Sequence, residues 1–223
     1  MIRPGEEWGR PSSAAPDLEL DGDDHDLAAA VAARPGVLVR FRPDATSDLA
    51  GAVGLDRAVD LGVELAVDAL RLDGMDPDAA VASTVAVNML VLGRPPDALG
   101  PWVRSFGANV RIDGKPVFHG PCTTIVIATG QFRRGLDVVP RGHPGDGRAE
   151  VQIYAVPRRQ RRQLRARLAT GTHVPHPGIV QRSGRHIEVS IDRRVAVEID
   201  GRTAPGADQV QVTVVPDAYR LLL

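Results

Sequence analysis

The segment His186-Ile-Glu-Val-Ser-Ile-Asp-Arg-Arg-Val-Ala-Val-Glu-Ile-Asp-Gly201 decides the fold. Apolar side chains recur at every second position, the spacing that sends them to one face of a strand. Asp192-Arg193 and Asp200-Gly201 read as turns that divide the segment into strands over 186–191 and 195–199. The same texture runs outward in both directions. Residues 65–72, 82–92, 109–112, 123–128, 149–156 and 209–215 also read as strands, rich in β-branched side chains. Asp113-Gly114, Ser183-Gly184 and Pro205-Gly206 supply further turn chemistry. So many short strands predict a mainly antiparallel β-sandwich over 65–223. A weak helix near 96–106 and a second over 158–169 interrupt it.

Upstream the rhythm changes. Asp17-Leu-Glu-Leu20 alternates, Asp21-Gly-Asp-Asp-His25 follows, and 26–33 reads as an alanine-rich helix closed by Arg34-Pro-Gly36. Residues 37–41 form an apolar run of strand length, stopped by Pro43. Thr46 or Ser47 then caps a helix over 48–53 that ends at Gly54. Two rounds of strand, turn and helix are the signature of a parallel α/β unit. A complete doubly wound sheet would need roughly 60–80 further residues upstream.

At 223 residues and 43% hydrophobic content, the chain can bury a real core. Aromatics make up only 4%, so Val, Leu, Ile and Ala must fill it. One cysteine, Cys122, excludes a disulfide framework and a thiolate zinc site, and its place in an apolar run reads as a buried structural thiol. No stretch is long and apolar enough to span a membrane. Residues 1–16 are polar and rich in Pro, Gly and Ser; they read as a flexible tail and not as a signal peptide, so a cytoplasmic location is expected. Net charge is −1, but residues 1–100 carry 18 acidic and 8 basic side chains, and residues 101–223 carry 10 acidic and 19 basic. Either the two halves attract each other, or a basic lobe faces an anionic partner.

Candidate chemistry lies in four places. Asp21–His25 is an acidic turn opening a helix, suited to phosphate only with a divalent cation in between, and otherwise a helix cap. Arg42-Pro-Asp-Ala-Thr-Ser-Asp-Leu-Ala50 repeats the strand-to-helix arrangement. Pro140-Arg-Gly-His-Pro-Gly-Asp-Gly147 holds Asp146 between two glycines, so its carboxylate can project from a sharp bend. The closing hairpin runs through Asp200-Gly201 to Pro216-Asp-Ala218. His143, His173 and His176 sit in loops without a clear third metal ligand. From Arg158 to Arg167 a helix carries six arginines, with Leu164 and Leu168 as its apolar stripe; it reads as a solvated face or as a contact for anionic headgroups, and less well as a nucleic-acid contact. Scarce aromatics argue against base stacking.

In this order the four segments resemble the diacylglycerol kinase and sphingosine kinase family of lipid kinases. Gly22 and Asp23 match its Gly-Gly-Asp-Gly-Thr motif. Pro43, Thr46, Asp48, Leu49 and Ala50 match its Pro-x-Gly-Thr-x-Asn-Asp-Leu/Phe-Ala segment. Asn88 and Gly93, then Pro140, Asp146 and Gly147, then Asp200, Gly201, Pro216 and Ala218 match the later ones. The resemblance implies an NAD kinase/diacylglycerol kinase-like fold, with a parallel nucleotide-binding remnant over 17–64 and a β-rich domain over 65–223. It implies ATP and Mg²⁺, with Gly22, Asp23, Thr46 and Asp48 at the nucleotide, Asp23 near the metal, and Asp146 as base toward a lipid hydroxyl. The departures concentrate on the nucleotide side. Asp21-Gly-Asp-Asp-His25 lacks two motif glycines, Ala45-Thr-Ser-Asp48 is one residue short and lacks the Asn, and Arg202 replaces a Glu. The expectation is therefore a degenerate, non-catalytic member binding a lipid-like ligand or a partner through its β-rich domain. The alternatives are an active lipid kinase and a nucleic-acid module. Peripheral contact with an anionic membrane through Arg158 to Arg167, and a homo-oligomer or partner chain covering an incomplete sheet edge, complete the expectations.

Overall fold

The computed structural model describes residues 8–55, 62–74 and 84–223. Strands β2 (Leu18–Gly22) and β3 (Leu38–Pro43) pair in parallel, with helix α1 (Asp24–Ala33) between them and α2 (Asp48–Val53) after them. Ser47, not Thr46, is the N-cap of α2: its hydroxyl accepts from the amide of Ala50, and Gly54 ends the helix in a left-handed conformation. Before them, the short β1 (Arg10–Pro11) pairs with β4 (Val63–Asp73), so this part of the polar amino-terminal stretch lies against the sheet.

The remaining strands are antiparallel. β4 carries β5 (Thr84–Ala86) on one side and β15 (Arg202–Leu222) on the other. β15 pairs along its first half with β14 (His186–Ile199) and, through Arg220 and Leu221, in parallel with β3. β14 itself changes partners. Residues 187–191 pair with β7 (Phe106–Ile112), whose hairpin mate is β8 (Lys115–Cys122); residues 197–199 pair with β6 (Met89–Gly93). Beyond β6 come β9 (Thr124–Ala128), β12 (Ala149–Tyr154) and β13 (Ile179–Gly184). The hairpin β10 (Phe132–Arg133) and β11 (Leu136–Asp137) stands apart.

Three apolar clusters follow from this layout. Alternate residues of β4, β6, β7, β9, β12, β14 and β15 form the largest, including Leu70, Val110, Ile125, Ile153 and Val212. Leu27 and Val31 of α1 and Leu49 of α2 bury against β3, β4 and Tyr219. The outer face of β6, β9 and β12 is covered by Leu164 and Leu168 and by Val138 and Val139.

Several sequence expectations are corrected. No helix spans 96–106: Pro96–Ala98 makes one 3-10 turn, and Pro101 removes a donor that a longer helix would need. The helix expected over 158–169 is three short pieces, with regular α-helix only at α3 (Arg161–Ala166). The run 82–92 breaks at Val87-Asn88, and its residues 82–83 lie outside the described residues. Ser183-Gly184, Asp192-Arg193 and Pro205-Gly206 are not turns; each lies inside a strand. Among the described residues no helix is long and apolar enough to cross a membrane.

Candidate functional site

A cleft of about 710 Å³ opens where α1, α2, the β10–β11 hairpin and the β14–β15 turn meet. Asp23, Thr46, Asp48, Phe132, Gly201 and Arg202 line it. The structure thus gathers four sequence-predicted residues in one place: Asp23, Thr46 and Asp48 as walls, and Gly22 directly behind Asp23. Gly22 has φ +152°, and the Asp26 carboxylate occupies the space a Cβ there would need.

The loop amides in this cleft are already in use. Asp23 caps α1, one oxygen accepting from the amides of His25 and Asp26, both at 3.0 Å, while Asp26 accepts from the Asp23 amide at 3.1 Å. The other Asp23 oxygen receives the Arg202 guanidinium, Nη2 at 2.7 Å and Nε at 3.0 Å. Burial works against this charge, but the Asp26 amide and Arg202 outweigh it and hold the carboxyl below its ordinary range. Asp24, 3% exposed, accepts from the amides of Asp48 and Leu49 at 3.1 and 3.0 Å and from the Ser47 hydroxyl. Burial pushes it up to about 6 against those bonds. Asp48 in turn accepts from the amides of Arg134 and Gly135 at 2.6 and 2.9 Å. Thr46 bonds through its amide and hydroxyl to Asp44.

At the back of the cleft, Asp200 gathers the amides of Val87, Asn88 and Met89 at 2.8, 3.0 and 2.8 Å. These bonds cause the break between β5 and β6. Burial raises the Asp200 carboxyl to about 7. Asn88 donates from Nδ2 to Phe132 O at 3.1 Å, tying the same break to the β10–β11 hairpin.

Asp146 is not among the residues lining this cleft. It sits half-buried in a turn before β12, where its Oδ1 accepts from the Arg148 amide at 2.9 Å. The loop is fixed by a residue the sequence reading passed over. Asp68, fully buried in β4, accepts from the amides of Gly147 at 2.6 Å and Asp217 at 3.0 Å, and its own amide donates to Pro144 O at 2.7 Å. Burial pushes Asp68 up to about 6, with Asp146 and Asp217 adding to the rise and the two amides opposing it. Trp8 donates to Ala66 O at 3.0 Å and packs on His143 with ring centroids 4.7 Å apart. A carboxylate interrupting the apolar run Leu65-Ala-Val-Asp-Ala-Leu70 was the available signal for Asp68. Asp24 and Arg133 carried none, since acids at helix starts and arginines are abundant here.

His173 is buried and bonds Val138 O at 3.0 Å, while His176 accepts from the Gly178 amide. Among the described residues no three His, Cys, Asp or Glu converge to hold a metal ion. Cys122 is buried, and burial pushes its thiol up to about 12. Arg158, Arg159, Arg162, Arg165 and Arg167 are exposed, but Arg161 turns inward to the carbonyls of Val156, Gly100 and Val103.

This architecture has relatives. A diacylglycerol kinase from Bacillus anthracis str. Sterne superposes with a TM-score of 0.72 at 11% identity, covering 92% of this chain and 77% of that one. Yeast NADH kinase, complexed with NADH, gives 0.54 at 14% identity, with 92% and 62% covered. An NAD kinase from Archaeoglobus fulgidus, in complex with ATP, gives 0.51 at 15%, with 93% and 78% covered. At these identities the likeness is one of fold. No curated protein matches the sequence. Residues 101–223, more than half of the chain, match the family described as the YegS C-terminal NAD kinase beta sandwich-like domain, and the chain belongs to that diacylglycerol kinase- and NAD kinase-like family.

Proposed function

We propose that this chain is a non-catalytic member of its family, whose β-rich region holds a lipid-like ligand or a partner without phosphoryl transfer. The observation that carries this reading is the fate of the cleft amides. Phosphate binding at a helix start needs free N–H groups and a positive local field. Here the amides of Asp23, His25, Asp26, Asp48, Leu49, Arg134 and Gly135 all donate to the chain's own aspartates. Four carboxylates, those of Asp23, Asp24, Asp26 and Asp48, take up the donors that phosphate oxygens would need. Asp23, the expected metal-side residue, is held by Arg202; a Mg²⁺ ion would have to displace a guanidinium with two hydrogen bonds. The residues present therefore do not suit a Mg-nucleotide, and no transfer step is assigned to Asp146. Its turn and the buried Asp68 beneath it serve to fix the loop ahead of β12.

Calorimetric titration with Mg-ATP tests the reading. No heat and no thermal shift are expected up to about 1 mM, which corresponds to binding weaker than about 4 kcal/mol. Micromolar binding that disappears in Asp23→Ala would overturn it and restore the kinase.

A further inference from the structure

Elsewhere on the described surface, several exposed arginines meet acids. Arg34 meets Asp17, Arg42 meets Glu19, Arg111 meets Glu188, and Arg202 meets Asp23. A second cleft, of about 450 Å³, concentrates arginines in one concave place. Six arginines line it with only two acids, Asp97 and Glu198. Both acids are engaged by one arginine: Arg133, 3% exposed, donates Nε to Glu198 at 2.7 Å, Nη2 to the same carboxylate at 2.8 Å, and Nη1 to Asp97. Arg134 adds a longer ion pair to Glu198 at 3.8 Å. That leaves Arg94, Arg104, Arg193 and Arg194, all exposed, with no ion pair among the described residues.

The backbone brings these four together. In a regular strand Arg193 and Arg194 would point to opposite faces. Between Ser190 and Val195 the pairing of β14 with β15 shifts register, and both arginines line the cleft. The intervening acid is turned elsewhere: Asp192 accepts from the Gly107 amide at 2.8 Å. Three of the guanidiniums are pinned by uncharged carbonyls. Arg193 donates to Ser105 O and Arg194 to Gly206 O, both at 2.6 Å, and Arg94 donates to Ala98 O at 3.3 Å. Such bonds fix position and leave the positive charge uncompensated. Each guanidinium has five N–H donors, so most remain available. Phe106, Val195 and Val197 supply apolar walls that strengthen a charge contact.

We propose that this cleft is a binding site for a phosphate-bearing ligand. A carboxylate has two oxygens and one charge, enough for one guanidinium fork. A phosphate monoester near neutral pH has three oxygens and close to two charges, matching several forks at once. The site is separate from the Asp23 cleft, with the β10–β11 hairpin between them and Arg134 on both linings. It does not depend on whether that cleft takes a nucleotide.

The test uses the full chain, calorimetry with glycerol 3-phosphate and inorganic phosphate, and sedimentation with phosphatidylcholine vesicles with and without phosphatidic acid. Binding to a soluble phosphate, or to phosphatidic acid vesicles over plain ones, is expected. It should weaken about tenfold or more in Arg193→Gln/Arg194→Gln, as charge-assisted hydrogen bonds are lost. It should stay unchanged in Arg10→Gln/Arg182→Gln, which removes as much charge from exposed positions outside the cleft. Response to the soluble esters identifies a soluble ligand; response to vesicles alone identifies a lipid headgroup. The proposal is overturned if none of the probes binds, or if the Arg10/Arg182 variant weakens binding as much as the cleft variant does. Equal unfolding midpoints for the two variants exclude misfolding as the cause.

Discussion

Asp200 is a carboxylate fully buried in protein, held by three backbone amides at the one place where β5 gives way to β6. An asparagine there keeps one accepting oxygen and turns an NH₂ group toward the remaining N–H donors. Asp200→Asn should therefore cost about 3 kcal/mol in urea unfolding. The same residue predicts a pH response. Burial raises Asp200 to about 7 and Asp24 and Asp68 to about 6, all above the ordinary carboxylate value. In such cases the folded state binds the extra proton, so the stabilisation is complete below the unfolded value and lost as pH rises through the folded one. The unfolding midpoint should fall from about pH 5 to about pH 8, and Asp200→Asn should flatten the slope. Asp17, Asp23 and Asp113 are shifted downward and act only at lower pH, where their stabilisation is lost on acidification. A midpoint that rises over this window would reject the account. At this scale glycine chemistry was only half legible. Asp113-Gly114 and Asp200-Gly201 turn the chain as expected, with φ of 48° and 75°, then 45° and 78°. Gly184 and Gly206 do not turn it. They are glycines because Ile112 and Asp113, and the Val195 carbonyl, press where a Cβ would stand. Sequence displays the absent side chain but not which of the two reasons applies.

Among the elements, the β10–β11 hairpin is held to the rest of the molecule by side chains: Asn88, Asp48 and Arg133. Asp48 accepts from its turn amides, and Arg133 joins it to Asp97 after β6 and to Glu198 of β14. Removing the guanidinium leaves Glu198, at 14% side-chain exposure, without its close partner. Arg133→Ala should cost about 3 kcal/mol or more, since the stranded carboxylate keeps its desolvation penalty. Arg133→Lys should recover only part, because one ammonium cannot present two parallel bonds to Glu198 and a third to Asp97. Full recovery by lysine, measured by urea unfolding, would mean that net charge matters and the planar fork does not. The hairpin escaped the sequence reading because Phe132-Arg-Arg-Gly-Leu-Asp137 is too short for periodicity to register. The strands that were read correctly, such as 65–72 and 149–156, are those with long alternation or continuous apolar runs. The helix expected near 96–106 failed for the opposite reason: its apolar residues were visible, but Pro101, in the middle of the run, breaks the helix.

Across the whole molecule, the charge imbalance between the halves resolves into particular contacts. Arg202 reaches Asp23 at 2.7 Å, Arg220 reaches Glu64 at 3.3 Å and Asp17 at 4.0 Å, and Arg133 reaches Asp97. Composition left open an attraction between the halves or an anionic partner, and it could not name the pairs, two of which join residues more than 150 apart in the chain. β15 binds the molecule more firmly than these pairs do. It runs along β14, pairs with β4 on both sides of the irregularity between Val215 and Tyr219, and ends in parallel contact with β3. Tyr219 and Leu221, both fully buried, lie in the same apolar cluster as Leu27 and Leu49 of the two amino-terminal helices. The parallel strands therefore share a core with the end of the chain and have no closed core of their own. Calorimetry should show one cooperative transition, with enthalpy matching its van't Hoff value. Leu221→Ala should lower stability by about 3 kcal/mol through the cavity it leaves, and should lower the whole transition without splitting it. Two transitions, with only the first moved by Leu221→Ala, would instead mean that residues 17–55 melt as a unit from a β-rich body that stands without them.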